Sequence, residues 1–587
     1  MCRRRSKEQG SSSGPSVLLL FSLVLLTTSV AIFRGIESYL RKTRKLNKKR
    51  TRRLLDQVLQ EEAEESTADE AEYDYLKESN RDQLVIVGFF HPFCNAGGGG
   101  ERVLFQALAH HQEHDPNLLC VVYTGDLSED VSKADILDRA RQRFNIKLKP
   151  SRVHFVPLTR RFLVEDGYWN HFTLLGQSLG AAILGAEAMA QLVPDIFIDT
   201  MGYAFSYPVV RLFAPDIPIG AYVHYPTIST DMLSRVRNRT AGHTNDATVA
   251  GSTWRTYAKL IYYHLFASAY TYSLSRADAI VANSSWTKAH LDTLIYGSRP
   301  KAGKKPVPEL ADTQGQKRKR RQRLGVTRRK QVEIVYPPCD TTAFSAFPLE
   351  GSEQNDGRDP GLLVSLAQFR PEKEHATQIR LLRALFDLEP AYRTGGNLTA
   401  PSSSSKSAPK VRLMMMGSCR NQGDEARIEG LKALAKDLGV EDSVSFMVNA
   451  PFKDILSTLS RASIGLSTMV DEHFGINVVE FMAAGLITLS HASAGPYLDI
   501  AVPVLASADS DPLPTGFHAL DPPSFASTLS KILQLSKDEE AQIRSRARDR
   551  AIRCFGSQGF EEAWRGEVWD MLWERERQSR AKAIKDR

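Results

Sequence analysis

Two series of short, unbroken apolar runs, each alternating with helix-length stretches, constrain this chain more than any other feature. The first series begins with Leu84-Val85-Ile86-Val87-Gly88-Phe89-Phe90 and continues at residues 118–123, 153–156, 196–199, 217–224 and 279–283. The second occupies residues 362–366, 411–416, 444–447, 464–467 and 486–490. A strand that is apolar at every position is buried on both faces, as in a parallel sheet. The βαβ alternation therefore predicts two Rossmann-like, doubly wound α/β domains facing a cleft, where a ligand belongs.

The predicted division is 1–53 membrane anchor with basic flanks, 54–83 acidic linker, 84–299 first domain, 300–331 basic insertion, 332–525 second domain and 526–587 terminal helices crossing back to the first. The anchor is the uncharged run at residues 17–33, which as one transmembrane helix spans about 26 Å. Four basic residues precede it and nine, from Arg41 to Arg53, follow it. The richer side, and with it the body, belongs in the cytosol. The alternative is a cleaved signal peptide, but no small-x-small site follows the run. Residues 172–193 are apolar enough to touch a membrane, yet Gln177 and Glu187 favour a core helix. The tail carries Phe560, Trp564, Val568 and Leu572 in one i, i+4 row, a packing face.

Charge excludes one function class. The chain is net +8, but residues 1–53 alone are net +12, so residues 54–587 are net −4. The basic balance belongs to the N-terminus and to the insertion, which holds twelve Lys/Arg between residues 300 and 330. That run is a solvated loop or touches anionic lipid heads, and nucleic acid is not an expected partner. The six cysteines form no C-x-x-C pair and no zinc spacing, which suggests a reducing compartment. Asp509-Ser510-Asp511 has a D-x-D pattern but lies among prolines, so no metal is expected.

The stretch Asp471-Glu472-His473-Phe474-Gly475-Ile476-Asn477-Val478-Val479-Glu480 concentrates the chemistry. A glycine turn here enters an apolar helix. The first-turn amides of such a helix favour anions, so Phe474, Gly475, Ile476 and Asn477 suit a diphosphate. Glu480 is placed to accept hydrogen bonds from ribose hydroxyls, and Glu472 to reach a sugar. Gly97, Gly98, Gly99 and Gly100 follow a strand and open a helix, where backbone can approach substrate closely. Lys373 suits a diphosphate as a point charge, and Arg370 as a fork of donors. His224 ends a strand, where open α/β sheets place ligands.

Glu472 and Glu480 match the E-x7-E motif of glycosyltransferase family 4, the retaining GT-B enzymes. The whole stretch, with Ala483-Ala484-Gly485 and Ser490-His491-Ala492-Ser493-Ala494-Gly495-Pro496, resembles the eukaryotic α-1,2-mannosyltransferases of asparagine-linked glycosylation. So do the segment from His91 to Leu104, Tyr222-Val223-His224-Tyr225-Pro226, Tyr336-Pro337-Pro338-Cys339-Asp340 and Gln368-Phe369-Arg370-Pro371-Glu372-Lys373.

The resemblance implies a GT-B fold and GDP-mannose as donor substrate, without cofactor or metal. It implies a dolichyl-diphosphate-linked oligosaccharide as acceptor, extended by its fourth and fifth mannoses at the cytosolic face of the endoplasmic reticulum membrane. Other mannosyltransferases of the same pathway are conceivable partners beside membrane lipid. It further implies that the nucleotide lies against the second domain, the acceptor against the first, and that His224 and Glu472 serve the transferred sugar. The family's arginine five residues before the lysine is Gln368 here, so whether Arg370 or another residue meets the diphosphate stays open. Another lipid-linked or phosphatidylinositol glycosyltransferase of this fold, or a non-catalytic scaffold, is the alternative.

Overall fold

The computed structural model describes residues 14–65, 84–165, 167–228, 232, 253–297, 309–310, 331–349, 357–398, 407–505 and 511–585. Within them both apolar series form parallel sheets. The first series supplies β1 (Val85–Phe90), β2 (Leu118–Thr124), β3 (Val153–Pro157), β4 (Ile196–Asp199), β5 (Ile219–Val223) and β6 (Ala279–Ala282). After β7 (Glu309–Leu310), β8 (Val332–Ile334) completes a seven-stranded sheet in the order β3-β2-β1-β4-β5-β6-β8. The expected boundary at residue 332 therefore falls too early. Val332 pairs with Ile280, and a three-residue strand has too short an apolar run to show its side in the sequence.

The second sheet contains β9 (Asp359–Leu366), β10 (Arg412–Gly417), β11 (Val444–Val448), β12 (Ala462–Ser467), β13 (Ile487–His491) and β15 (Phe517–Ala519). Its order is β11-β10-β9-β12-β13-β15, and β14 (Val504–Leu505) pairs with β7 outside it. Strand order reverses between β1 and β4 in one sheet and between β9 and β12 in the other. These are the switch points at which such sheets bind ligands.

The helices Pro522–Leu533 and Lys537–Phe555 stay on the second domain, burying Phe525, Leu529, Ile532, Ile543 and Phe555. The crossing back starts only after Phe555. Phe560, Trp564, Val568 and Leu572 then enter the first domain's core beside Ile198 and Tyr222.

The N-terminal helix Gly14–Glu65 corrects the linker expectation for residues 54–65. Leu54, Leu55, Val58 and Leu59 recur at helical spacing and are buried against the first domain, a pattern that the acidic average composition conceals. Two of the basic residues read as anchor flank reach backbone carbonyls of the first domain. Arg44 Nε donates to Phe213 O at 2.9 Å, and Arg50 Nη1 to Ala190 O at 2.7 Å. Asn47 between them binds Met189 O at 3.0 Å and accepts from Val193 N at 2.9 Å. These side chains cap the carbonyl ends of the helices Thr173–Gln191 and Tyr207–Phe213. Among the described residues no helix is long and apolar enough to cross a membrane. The side chains of most of the expected anchor run, together with residues 66–83 and most of 300–331, lie outside the described set.

The helix Thr173–Gln191 buries Ala181, Leu184, Ala188 and Met189 in the core, while Leu175 and Leu179 on its other side are more than half exposed.

Candidate active site

Both switch points open onto the same crevice. From the second domain, β9 leads into the turn Pro371–Lys373, and β12 into the loop carrying Glu472. Lys373 Nζ lies 2.6 Å from Glu472 Oε2 and 3.2 Å from Met469 Sδ. Both members of the pair are mostly buried, at 23% and 13% side-chain exposure. Arg370 stands apart: it is 44% exposed and faces Glu372 at 3.9 Å. The Glu472 loop is buttressed by the Ser490–Pro496 motif. Ser493 Oγ accepts from Asp471 N at 2.8 Å, and Gly495 N donates to Glu472 O at 2.9 Å.

Gly475, at φ +103°, turns this loop into the helix Ile476–Ala483. A side chain there would be strained. The Phe474 side chain is buried between Tyr336 and Phe555, so any part it takes in donor binding is through its backbone. An aromatic residue beside a turn gains more from core burial than from lining a polar crevice. Asn477 ties the helix to β9, its Nδ2 donating to Leu366 O at 3.3 Å. Glu480, in the middle of the helix, keeps partial solvent access but lies deep, and burial pushes its carboxyl up to about 7 against the pull of Arg102.

The first domain faces this arrangement with the glycine loop and His224. The amides of Ala96 and Gly98 donate to the Glu101 carboxylate at 2.7 and 3.1 Å, and that of Gly97 does so as well. Two amides of the Gly97–Gly100 loop, those of Gly97 and Gly98, are thus satisfied by the chain itself. The glycines matter instead for close approach. A Cβ on Gly99 would lie 2.5 Å from Ile476 Cδ1 of the opposite domain, and one on Gly100 3.3 Å from His224 Nε2. His224 Nε2 donates to Thr200 O at 3.0 Å, which leaves Nδ1 as the acceptor. Burial lowers His224 to about 4, so it is neutral at physiological pH. Among the described residues no group of three or more His, Cys, Asp or Glu is placed to hold a metal ion.

The sequence comparisons agree with this geometry. Residues 84–295 match the family model described as ALG11 mannosyltransferase N-terminus, and residues 352–551 that of Glycosyl transferases group 1. A GDP-Man:Man(3)GlcNAc(2)-PP-Dol alpha-1,2-mannosyltransferase of Mus musculus is 44% identical over 83% of this chain and 87% of its own length. Relatives of the same name from Neurospora crassa and Caenorhabditis elegans are 39% and 36% identical, covering 83% and 84% of this chain and 80% and 92% of their own. The chain belongs to the ALG11 mannosyltransferase family. It is a glycosyltransferase of the GT-B fold. Two solved structures share that fold at low identity. They are the N-terminal domain of Candida albicans trehalose-6-phosphate phosphatase (TM-score 0.54, 14% identity, 83% of this chain and 96% of that one) and a UDP-forming trehalose-phosphate synthase from Burkholderia xenovorans (0.53, 11%, 83% and 98%).

Several residues of this ALG11-family site escaped the sequence reading. His91 directly follows β1, and its Nδ1 meets Thr200 Oγ1 at 2.7 Å beside His224. Burial, then the proximity of His224, lower it to about 3. The strand-end argument that found His224 applies equally to it. Arg102, from the first domain, pairs at 3.5 Å with Asp340 of the interdomain connection and adds positive charge near Glu480. No local pattern in the sequence points to that pairing.

Proposed function

We propose that this chain transfers mannose from GDP-mannose, with retention, to a dolichyl-diphosphate-linked trimannosyl oligosaccharide, adding the fourth and fifth mannoses in α-1,2 linkage. The observation that carries the reading is the Lys373–Glu472 pair at one switch point, facing His224 and the glycine loop at the other. The names of relatives at up to 44% identity support the donor and acceptor.

In this reading Lys373 and the amino end of the helix Ile476–Ala483 receive the diphosphate and offset the charge that grows on it as GDP leaves. This supply of positive charge needs no metal ion. Glu480 holds the ribose. Glu472 orients the mannose and stabilises its oxocarbenium-like centre. An incoming diphosphate competes with Glu472 for Lys373, which frees the carboxylate for the sugar. Neutral His224 presents an acceptor atom on the opposite wall. The departing phosphate, on the face that the acceptor hydroxyl attacks, takes its proton, and retention follows.

The reading includes an N-terminal anchor at residues 17–33 in the endoplasmic reticulum membrane, with the body on the cytosolic face. The exposed side chains of Phe172, Leu175, Leu179, Ile261 and Leu265, all on the first domain, would meet lipid. The test is purified protein with labelled GDP-mannose and a synthetic dolichyl-diphosphate Man3GlcNAc2, with product linkage determined. Transfer of two α-1,2-linked mannoses is expected. Transfer from a UDP-sugar instead, or a β-linked product, would sink the reading.

A further inference from the structure

His473 sits between the two glutamates of the motif, directly after Glu472, yet its ring leaves the second domain. It stacks on Tyr225 at 4.4 Å between centroids and 25° between planes, and on Trp286 at 4.9 Å and 24°. Tyr225 and Trp286 stack on each other at 5.8 Å and 14°. Both belong to the first domain, and Tyr225 directly follows His224. The residue before Trp286 makes a second crossing: Ser285 N donates to Asp499 Oδ2 of the second domain at 3.0 Å, and Ser285 Oγ to Oδ1 at 2.5 Å. Tyr336 Oη donates to the same carboxylate at 2.9 Å.

We infer that His473 is a positioning residue: its ring, held against Tyr225 and Trp286, locks the Glu472 loop to the His224 strand end and so brings the two halves of the catalytic centre into register. This rests on the proposed function, which puts Glu472 and His224 at the transferred sugar. The chain places the His473 and Tyr225 rings one residue from Glu472 and His224, so a shift of the stack by an ångström shifts those two groups relative to each other. Misplacement on that scale is enough to slow a reaction severely. The imidazole acts as a flat ring and not as a cation. Burial, then Lys373 and His290, lower it to about 4, so it carries no charge at neutral pH. Phe474, its chain neighbour, points the opposite way into the core, which anchors the loop on its other side.

The test compares His473→Ala, His473→Phe, Tyr225→Ala and the double variant Tyr225→Ala/His473→Ala in the full chain. Readouts are transfer from GDP-mannose to synthetic dolichyl-diphosphate Man3GlcNAc2 and calorimetric binding of GDP. Loss of a stacked pair should lower kcat about tenfold in His473→Ala. GDP affinity should change less than about twofold, because the nucleotide contacts assigned here come from the second domain. His473→Phe should recover most of the rate, and the double variant should be no slower than the slower single one. A His473→Ala variant with wild-type kcat, or one that loses GDP affinity with its rate, overturns the inference. So does a phenylalanine that fails to rescue, or additive losses in the double variant. Failure of the functional reading looks different: the wild-type chain itself would then neither bind GDP nor transfer mannose.

Discussion

Lys373 and Glu472, ninety-nine residues apart, meet at 2.6 Å because β9 and β12 are neighbours in the second sheet and their following loops flank its switch point. Each is the partner the other needs in a mostly buried crevice, where a lone charge would be costly. Lys373→Ala should therefore damage both partners' roles. We expect weaker GDP binding and a transfer rate reduced by roughly two to three orders of magnitude. Glu472→Ala should lower kcat by a similar factor while changing donor KM less, because its contact with mannose strengthens as the bond breaks. Single-turnover kinetics beside GDP calorimetry separate the two. Full activity in both variants would end the catalytic assignment.

Glu480 should make donor binding depend on pH. Its carboxyl titrates at about 7, and ribose hydroxyls donate best to the ionised form. GDP affinity is then complete above that pH and falls as the pH drops, by at most about tenfold per unit. Glu480→Gln should bind GDP more weakly but without this dependence, and Glu480→Ala should lose roughly ten- to a hundredfold. Calorimetry at pH 6, 7 and 8 tests it; a flat wild-type profile would remove Glu480 from the ribose.

The far end of the same helix is held by arginines. Arg548 Nε, Arg358 Nη2 and Arg544 Nη1 donate to the consecutive carbonyls of Ala483, Ala484 and Gly485 at 2.8, 2.5 and 2.7 Å. Arg358 also binds Leu459 and Ala462. Its replacement by Ala leaves several carbonyls without a donor and should cost about 3 kcal/mol of second-domain stability. Thermal melting measures it, and saturating GDP should recover part of the loss.

Acid should loosen the terminal helices. His111 accepts from Trp564 Nε1 through Nε2 at 3.1 Å and meets Asp115 through Nδ1 at 3.0 Å, an arrangement open only to the neutral ring. Burial lowers its proton affinity in the folded chain, so the unfolded chain takes up the proton first. Stability from this site is complete above the ordinary histidine value of about 6.5 and is lost as the pH falls below it. Melting curves at pH 7.5 and 5.5 should differ less in His111→Gln than in the parent chain.

Truncation should separate anchor from scaffold. Removing residues 1–38 should leave the folded body intact. Removing residues 1–53 also deletes Leu40, Arg44, Asn47 and Arg50, uncaps two helix ends and should cost about 3 kcal/mol or more. Equal melting temperatures for the two truncations would show that residues 39–53 contribute nothing to stability.

Much of this molecule was legible along the chain. A parallel strand covered on both faces must be apolar at every position, so both sheets stand out as unbroken runs whatever surrounds them. Gly475, the helix after it and the strand end at His224 follow from local backbone and topology rules, and Lys373 and Glu472 stand in charged stretches that resemble the family's motifs. Tertiary structure alone decided which of these groups meet. It turned Phe474 inward, filled the glycine loop's amides with Glu101, aimed Arg44 and Arg50 at helix ends and stacked His473 on Tyr225 and Trp286. Local rules cannot show such contacts, because they join residues up to hundreds of positions apart. Their energies depend on burial and on facing partners, and these exist only once the two sheets have closed on each other.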